Sequence, residues 1–136
     1  MYKSMSDELH LGIDIGSISV NTVVLGKHYK VIYEDYTYCR GKPFNVVLEQ
    51  LQSLEKSFSL KSFDSLSFTG SGGRQASGLL GGSFINEVIA QSEAVLNLHS
   101  DVRTIIEIGG EDSKLIQLST DGNHDSARLS DFALNS

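Results

Sequence analysis

Residues 13–16 read Ile-Asp-Ile-Gly and residues 106–109 read Ile-Glu-Ile-Gly, and this repeated pattern decides how the chain is interpreted. Each copy ends an apolar stretch with an acidic residue, an apolar residue and a glycine, and then leads through a short polar turn into another apolar stretch. Glycine lets the backbone come close to an anion, and successive N–H groups of a turn form a concave anion site. A carboxylate at a strand end can hold hydrated Mg²⁺ or orient a water molecule. One such pattern is often only a turn, but its duplication favours a paired phosphate site.

The length and charge of the chain limit what it can be. Its 136 residues carry a formal net charge of −6 and are 40% hydrophobic, which is ordinary for one compact globular domain. The acidic balance argues against a nucleic-acid partner, because a protein that follows nucleic-acid phosphates needs a basic face. It does not exclude a nucleotide, since backbone N–H groups and Mg²⁺ can hold phosphates.

Targeting signals and cysteine content further limit the class of protein to which the chain can belong. No apolar run approaches the roughly 18 residues of a membrane helix, and the acidic residues at positions 7 and 8 disfavour a signal peptide. We therefore predict a cytoplasmic protein with no membrane partner. The single cysteine, Cys39, excludes an intrachain disulfide and a multi-cysteine metal site within this chain, and we interpret it as a structural thiol.

Hydrophobic periodicity predicts an alternation of strands and helices. Period-two patterns up to residue 38 predict three strands of an antiparallel meander. A helix is predicted to begin at Pro43, with Leu48 on its apolar face and Gln50 among the polar residues that face away. The remaining pattern predicts the order βββ-α-β-α-β-α-βββ for the whole chain, with a turn at residues 121–123 between the last two strands.

Five motifs, in order, resemble the BadF/BadG/BcrA/BcrD-type ATPases, which activate 2-hydroxyacyl-CoA dehydratases and form part of benzoyl-CoA reductases. Residues 11–17 resemble the first phosphate motif of the actin, heat-shock chaperone and sugar kinase ATPase superfamily, and residues 106–114 resemble its second phosphate motif in the form used by this family. Residues 69–74, 84–88 and 131–135 also fit the family. The resemblance covers nearly the whole chain.

The resemblance implies an α/β fold. Residues 1–99 would form a ribonuclease H-like (actin-like ATPase) lobe, in which a mixed sheet begins with a β-meander and helices flank it. Residues 100–136 would form the truncated start of a second lobe, with ATP bound between the lobes. The implied cofactors are ATP and Mg²⁺.

The resemblance also implies roles for individual residues. The implied catalytic carboxylates are Asp14, Glu107 and Glu87, and the first two would hold Mg²⁺ through water. The implied phosphate contacts are Gly16, Ser17, Ser19, Gly109, Gly110, Glu111 and Asp112. Hydrolysis would then depend on positioning and on charge stabilisation.

Departures from the family pattern qualify this interpretation. Asn21 stands where many members have lysine and Ile18 where many have threonine, so we expect weaker phosphate contact from the first hairpin. Complete members continue past the motif at residues 131–135 with a cysteine that ligates an iron–sulfur cluster shared across a dimer, and this chain has no ligands for that cluster. We therefore expect an amino-terminal fragment of an ATP-driven activator, inactive alone.

The implied partners are a second copy of the chain and a 2-hydroxyacyl-CoA dehydratase or benzoyl-CoA reductase-type component. Two other functions stay open at this point. One is a sugar or acetate-type kinase of the same superfamily. The other is a degenerate ATPase-like module that binds without catalysis.

Overall fold

The computed structural model describes residues 8–120 and 127–135, so the turn predicted at residues 121–123 lies outside the described residues. The described residues form two compact units. Unit 1 ends at Ile85 and unit 2 begins at Asn86. No helix in the described part of the chain is long and apolar enough to cross a membrane.

Unit 1 is built on a five-stranded mixed sheet with the strand order β3-β2-β1-β4-β5. The first three strands form an antiparallel meander, and β1 pairs with β4, and β4 with β5, in parallel. This arrangement confirms the predicted mixed sheet with a β-meander. The strand bounds are β1 His10–Ile15, β2 Ser19–Leu25, β3 Val31–Tyr38, β4 Ser65–Thr69 and β5 Ser83–Phe84.

Two helices pack against this sheet. Helix α1, Pro43–Glu55, begins at the predicted proline and packs on β2 and β3. Helix α2, Gly73–Leu80, packs on β4, β5 and β1. Short 3-10 helices occupy Lys27–Tyr29 and Leu60–Ser62. The alternating apolar residues of β1 and β2, together with residues of both helices, form the core: Leu11, Ile13, Ile15, Val20, Val24, Val46, Val47, Leu54, Phe68 and Ala76, with Cys39.

The predicted orientation of α1 is wrong at two positions. Gln50 is buried and Leu48 is 56% exposed, the reverse of the predicted helix faces. The Gln50 side chain accepts a hydrogen bond from Thr22 Oγ1 at 2.7 Å, and it donates to Asp35 Oδ1 at 2.7 Å and to the carbonyl of Val20 at 3.2 Å. Both polar atoms of the Gln50 amide have hydrogen-bond partners. These bonds compensate the desolvation of the amide, so Gln50 can lie on the buried face of the helix.

We expect Gln50→Ala to destabilise the protein by about 2–3 kcal/mol, since the buried Thr22 hydroxyl would lose its acceptor and Asp35 Oδ1 would keep only its hydrogen bond from Thr37. Urea unfolding followed by circular dichroism measures this change. The neighbouring exposed residue gives the control, because Glu49→Ala removes a solvated side chain of the same helix. Equal stability of the two variants would contradict the structural role of the buried amide.

Unit 2 consists of one helix and an antiparallel sheet with the strand order β6-β7-β8. The bounds are α3 Glu87–Leu98, β6 Thr104–Ile108, β7 Ser113–Thr120 and β8 Ala127–Asn135. The Asn86 side chain caps α3 by accepting a hydrogen bond from the Val88 N–H at 2.9 Å.

Helix α3 belongs to unit 2 by its packing. Val88 joins Ile105, Ile116 and Leu118 in one core cluster, and the helix packs on β7 and β8. The sequence placed the lobe boundary at residue 99, with this helix in the first lobe, whereas the compact unit of the structure begins at Asn86.

Candidate functional site

The turn between β1 and β2 is a closed hairpin loop. The Gly16 N–H donates to the carbonyl of Ser19 at 2.9 Å. A Cβ at Gly16 would lie 3.2 Å from that carbonyl oxygen, so glycine suits the close approach. Ser17 and Ile18 lie between Gly16 and Ser19, and both are exposed. Within the described residues, the N–H groups of Ser17 and Ile18 donate no hydrogen bond. Two adjacent free donors of this kind can bind an anion.

The turn between β6 and β7 closes in the same way. The Gly109 N–H donates to the carbonyl of Asp112 at 2.9 Å, and a Cβ at Gly109 would lie 3.2 Å from Asp112 Oδ1. The intervening Gly110 and Glu111 are exposed, and their N–H groups find no acceptor in the described part of the chain. The sequence repeat is therefore also a repeat of backbone geometry.

Cys39 forms hydrogen bonds with the backbone of the turn between β1 and β2. It is buried, its S–H donates to the carbonyl of Ser17 at 2.9 Å, and its N–H donates to the carbonyl of Ile18 at 2.8 Å. These bonds assign the thiol a structural role. A buried thiol committed to a turn does not fit an iron–sulfur ligand.

Asp14 lies at the end of β1, on the sheet face opposite to that of Ile13 and Ile15. Its register partners on the same face are Asn21 of β2 and Thr69 of β4. Asn21 Nδ2 donates to Asp14 Oδ2 at 3.5 Å, a long contact. Thr69 Oγ1 is buried and has no hydrogen-bond partner among the described residues. A carboxylate beside an unsatisfied buried hydroxyl fits a hydrated Mg²⁺, whose water could satisfy that hydroxyl.

The glycine-rich loop after β4 packs over the end of β1. Gly72 N–H and Ser71 Oγ both donate to the carbonyl of Ile15, at 3.0 and 3.3 Å. Gly70 has a φ of +81°, and a Cβ there would overlap Asp14 Oδ1. This loop is a supporting element to which the sequence pattern assigned no role. The cluster of three glycines directly after a strand was the available signal.

A cavity of about 290 Å³ adjoins the first turn and is lined by Ser17, Ile18, Tyr38, Arg40 and Gly41. Arg40 therefore lines the same cavity as the turn residues Ser17 and Ile18. Sequence reasoning missed it, because only the pairing of β3 with β2 brings this segment to the turn.

In unit 2 three of the sequence-predicted carboxylates converge on one lysine. Lys114 Nζ lies 3.1 Å from Glu107 Oε2, 3.1 Å from Asp112 Oδ1 and 3.4 Å from Glu87 Oε1. The lysine side chain is 8% exposed. Glu107 and Lys114 are register partners of β6 and β7, and Glu87 opens α3.

The lysine keeps its charge in this cluster. Burial acts to lower the pKa of Lys114, but hydrogen bonds to Asp112 and Glu107 and the negative charge of Glu87 outweigh it, so the pKa is raised above its usual value. One ammonium faces three carboxylates, which leaves the cluster with a formal charge of −2. Sequence reasoning quoted Lys114 in a motif and gave it no role.

The structure distributes the other sequence-predicted site residues between the two units. Unit 1 contains Asp14, Gly16, Ser17 and Ser19. Unit 2 contains the remaining ones, which are Glu87, Glu107, Gly109, Gly110, Glu111 and Asp112. Glu111 is exposed and, among the described residues, its side chain forms no ion pair. Since Lys114 engages Glu107 Oε2, the other oxygen, Oε1, is the one that suits contact with a metal-bound water.

Within residues 8–120 and 127–135 no group of three metal-ligating side chains is arranged to hold an ion.

No protein-family model matches the sequence, and no curated protein matches it. Solved structures do match. The activator of the 2-hydroxyisocaproyl-CoA dehydratase from Clostridium difficile, solved with bound ADPNP, is 25% identical with a TM-score of 0.74 over 93% of this chain and 45% of that chain. The resemblance to dehydratase activators is confirmed. The (R)-2-hydroxyglutaryl-CoA dehydratase component A of Acidaminococcus fermentans is 20% identical with a TM-score of 0.75, over 94% of this chain and 47% of that chain.

A more distant neighbour shares the fold alone. The Ppx/GppA family member of Aquifex aeolicus has a TM-score of 0.58 at 10% identity, over 95% of this chain and 51% of that chain. The predicted actin-like ATPase fold is thereby confirmed. The present chain spans less than half the length of the two dehydratase proteins it matches.

Proposed function

We propose that this chain is the ATP-binding and ATP-hydrolysing module of a CoA-dehydratase activator, which uses ATP to drive electron transfer to its dehydratase. The observation that carries the proposal is the pair of hairpins closed by the same glycine N–H bond, each with two exposed free N–H groups and a carboxylate on the preceding strand. The similarity to an activator solved with ADPNP supports the same ligand class.

Each hairpin would contribute backbone donors to the phosphates. The N–H groups of Ser17 and Ile18, with the neighbouring Arg40, would bind phosphate oxygens from the first hairpin, and those of Gly110 and Glu111 from the second. Asp14 would hold a hydrated Mg²⁺, which supplies charge neutralisation on the phosphates. Glu107 and Glu87 would orient the water that attacks the terminal phosphate.

The partners and the setting belong to the same proposal. By its resemblance to the BadF/BadG/BcrA/BcrD-type family, the chain would act in the cytoplasm with a 2-hydroxyacyl-CoA dehydratase or benzoyl-CoA reductase-type component, and a second copy of the activator would share the iron–sulfur cluster. The described residues of this chain do not fit that cluster. We expect little turnover by these 136 residues alone, because they span less than half the length of the two dehydratase proteins they match.

The direct test is isothermal titration of the chain with ATP in the presence of Mg²⁺. We expect measurable binding with Mg²⁺ and a loss of most of the affinity when EDTA replaces it, because the carboxylate of Asp14 repels the phosphates unless a cation lies between them. A flat titration with Mg-ATP at millimolar concentration would refute the proposal.

One observation favours a second candidate, a module that binds nucleotide without hydrolysing it. Lys114 engages both Glu107 and Asp112, which reduces the capacity of these carboxylates to accept a proton from water. A phosphate-release assay separates the two functions. Slow release that requires Mg²⁺ and exceeds the protein-free rate supports the ATPase, whereas binding with no release above the protein-free rate supports the second candidate.

A further inference from the structure

The ion cluster around Lys114 differs from an ordinary surface salt bridge. Three carboxylates reach one buried ammonium from three places: Glu87 at the start of α3, Glu107 on β6 and Asp112 in the β6–β7 turn. The carboxylates are 24–39% exposed, whereas the lysine side chain is 8% exposed. The ammonium therefore lies beneath the carboxylates and holds together groups that would otherwise repel one another.

We propose that Lys114 is a positioning residue, an internal cation that fixes these three carboxylates and keeps divalent metal ions from binding to them directly. The part that concerns catalysis rests on the proposed function, because it assumes that Glu107 orients the attacking water. The part that concerns metal exclusion rests on the ion cluster alone.

The exclusion follows from shared ligand atoms. The ammonium contacts Glu107 Oε2 and Asp112 Oδ1 at 3.1 Å each, and a directly bound divalent ion would need those same oxygens. A lysine charge at that position also repels the ion. Under the proposed function, the Mg²⁺ that accompanies ATP would be held by the phosphates and by Asp14, and Glu107 would not ligate it directly.

The test removes the charge and keeps the bulk of the side chain. In Lys114→Met the three carboxylates lose their cation, and we expect the variant to bind one Mn²⁺ per chain more than the wild type, about tenfold tighter or better than any wild-type Mn²⁺ binding. The measurement is electron paramagnetic resonance of free Mn²⁺ without nucleotide. Lys114→Arg keeps the charge and should behave as the wild type, and adding Glu107→Gln and Asp112→Asn to Lys114→Met should abolish the new site.

Both a folded and an unfolded Lys114→Met variant give a decisive result. A folded Lys114→Met chain with no additional Mn²⁺ would overturn metal exclusion. If that variant is unfolded in metal-free buffer, we expect Mn²⁺ to restore a cooperative melting transition, and failure to restore it would equally overturn the proposal.

Titration with Mg-ATP in the same variants tests the positioning role. We expect about tenfold weaker binding in Lys114→Met and recovery in Lys114→Arg, whereas unchanged affinity in Lys114→Met would overturn it. Because the Mn²⁺ measurement contains no nucleotide, a wild-type chain that binds no ATP would refute the proposed function without affecting the metal result.

Discussion

Gly70→Ala is expected to lower the free energy of unfolding by about 3 kcal/mol, at the upper end of the change expected for Gln50→Ala. Gly70 has a φ of +81°, in the left-handed region that side chains with a Cβ rarely adopt. The Cβ would also overlap Asp14 Oδ1 and approach the carbonyl oxygen of Ile15 to 2.6 Å. Because one of these obstacles is backbone of a central strand, the clash cannot be relieved by a change of rotamer.

The matched control is another glycine of the same glycine-rich segment. Gly78 lies inside α2, its φ is not positive, and a Cβ there would meet no atom within 4 Å. Alanine at this helical position should raise stability by about 0.5–1 kcal/mol. Thermal unfolding by calorimetry measures both variants side by side. If Gly70→Ala melts within a degree of the wild type, the assigned loop conformation is wrong.

The features that the sequence predicted correctly are those set by local chemistry. The period-two alternation around Ile13 and Ile15 reports burial on one sheet face, and such a pattern needs no knowledge of distant residues. The two acid-glycine turns were found because glycine and the acidic residue lie close together in the chain. Their shared closing bond is likewise local, since it joins residues three apart.

The features that the sequence missed depend on contacts between distant segments. Gln50 was placed on the exposed face by its polarity, but Thr22 and Asp35 satisfy its amide once β2 and β3 are paired. Lys114 received no role, because its environment also requires Glu87, which lies 27 residues earlier, at the start of another element. Polar side chains are assigned to solvent by pattern, and only the tertiary structure reveals which ones find partners.

The pattern of α3 does not determine which sheet it packs on. Its pattern identifies a helix and an apolar stripe, but a stripe does not specify which sheet covers it. Val88 packs with Ile105 and Ile116, so the helix joins the second sheet. A consequence for function is that Glu87 is fixed relative to Glu107 and Lys114 within one compact unit.

Asp14→Asn is expected to weaken Mg-ATP binding by roughly 100-fold, which corresponds to about 2.7 kcal/mol, and to make the remaining binding independent of Mg²⁺. The substitution keeps the size of the side chain and removes only its charge. Asn21 and Thr69 flank this position on the same sheet face, so an amide can remain in the same place while it loses its attraction for a hydrated cation.

The comparison with an exposed carboxylate isolates the effect of position from that of net charge. Asp101→Asn makes the same chemical change in an exposed turn of unit 2 and should leave Mg-ATP affinity unchanged. Calorimetric titrations at several Mg²⁺ concentrations distinguish a lost metal contact from a general loss of affinity. The role of Asp14 requires the Mg²⁺ dependence to vanish in its variant and to persist in the control. Equal Mg²⁺ dependence in both variants would assign the metal to other groups.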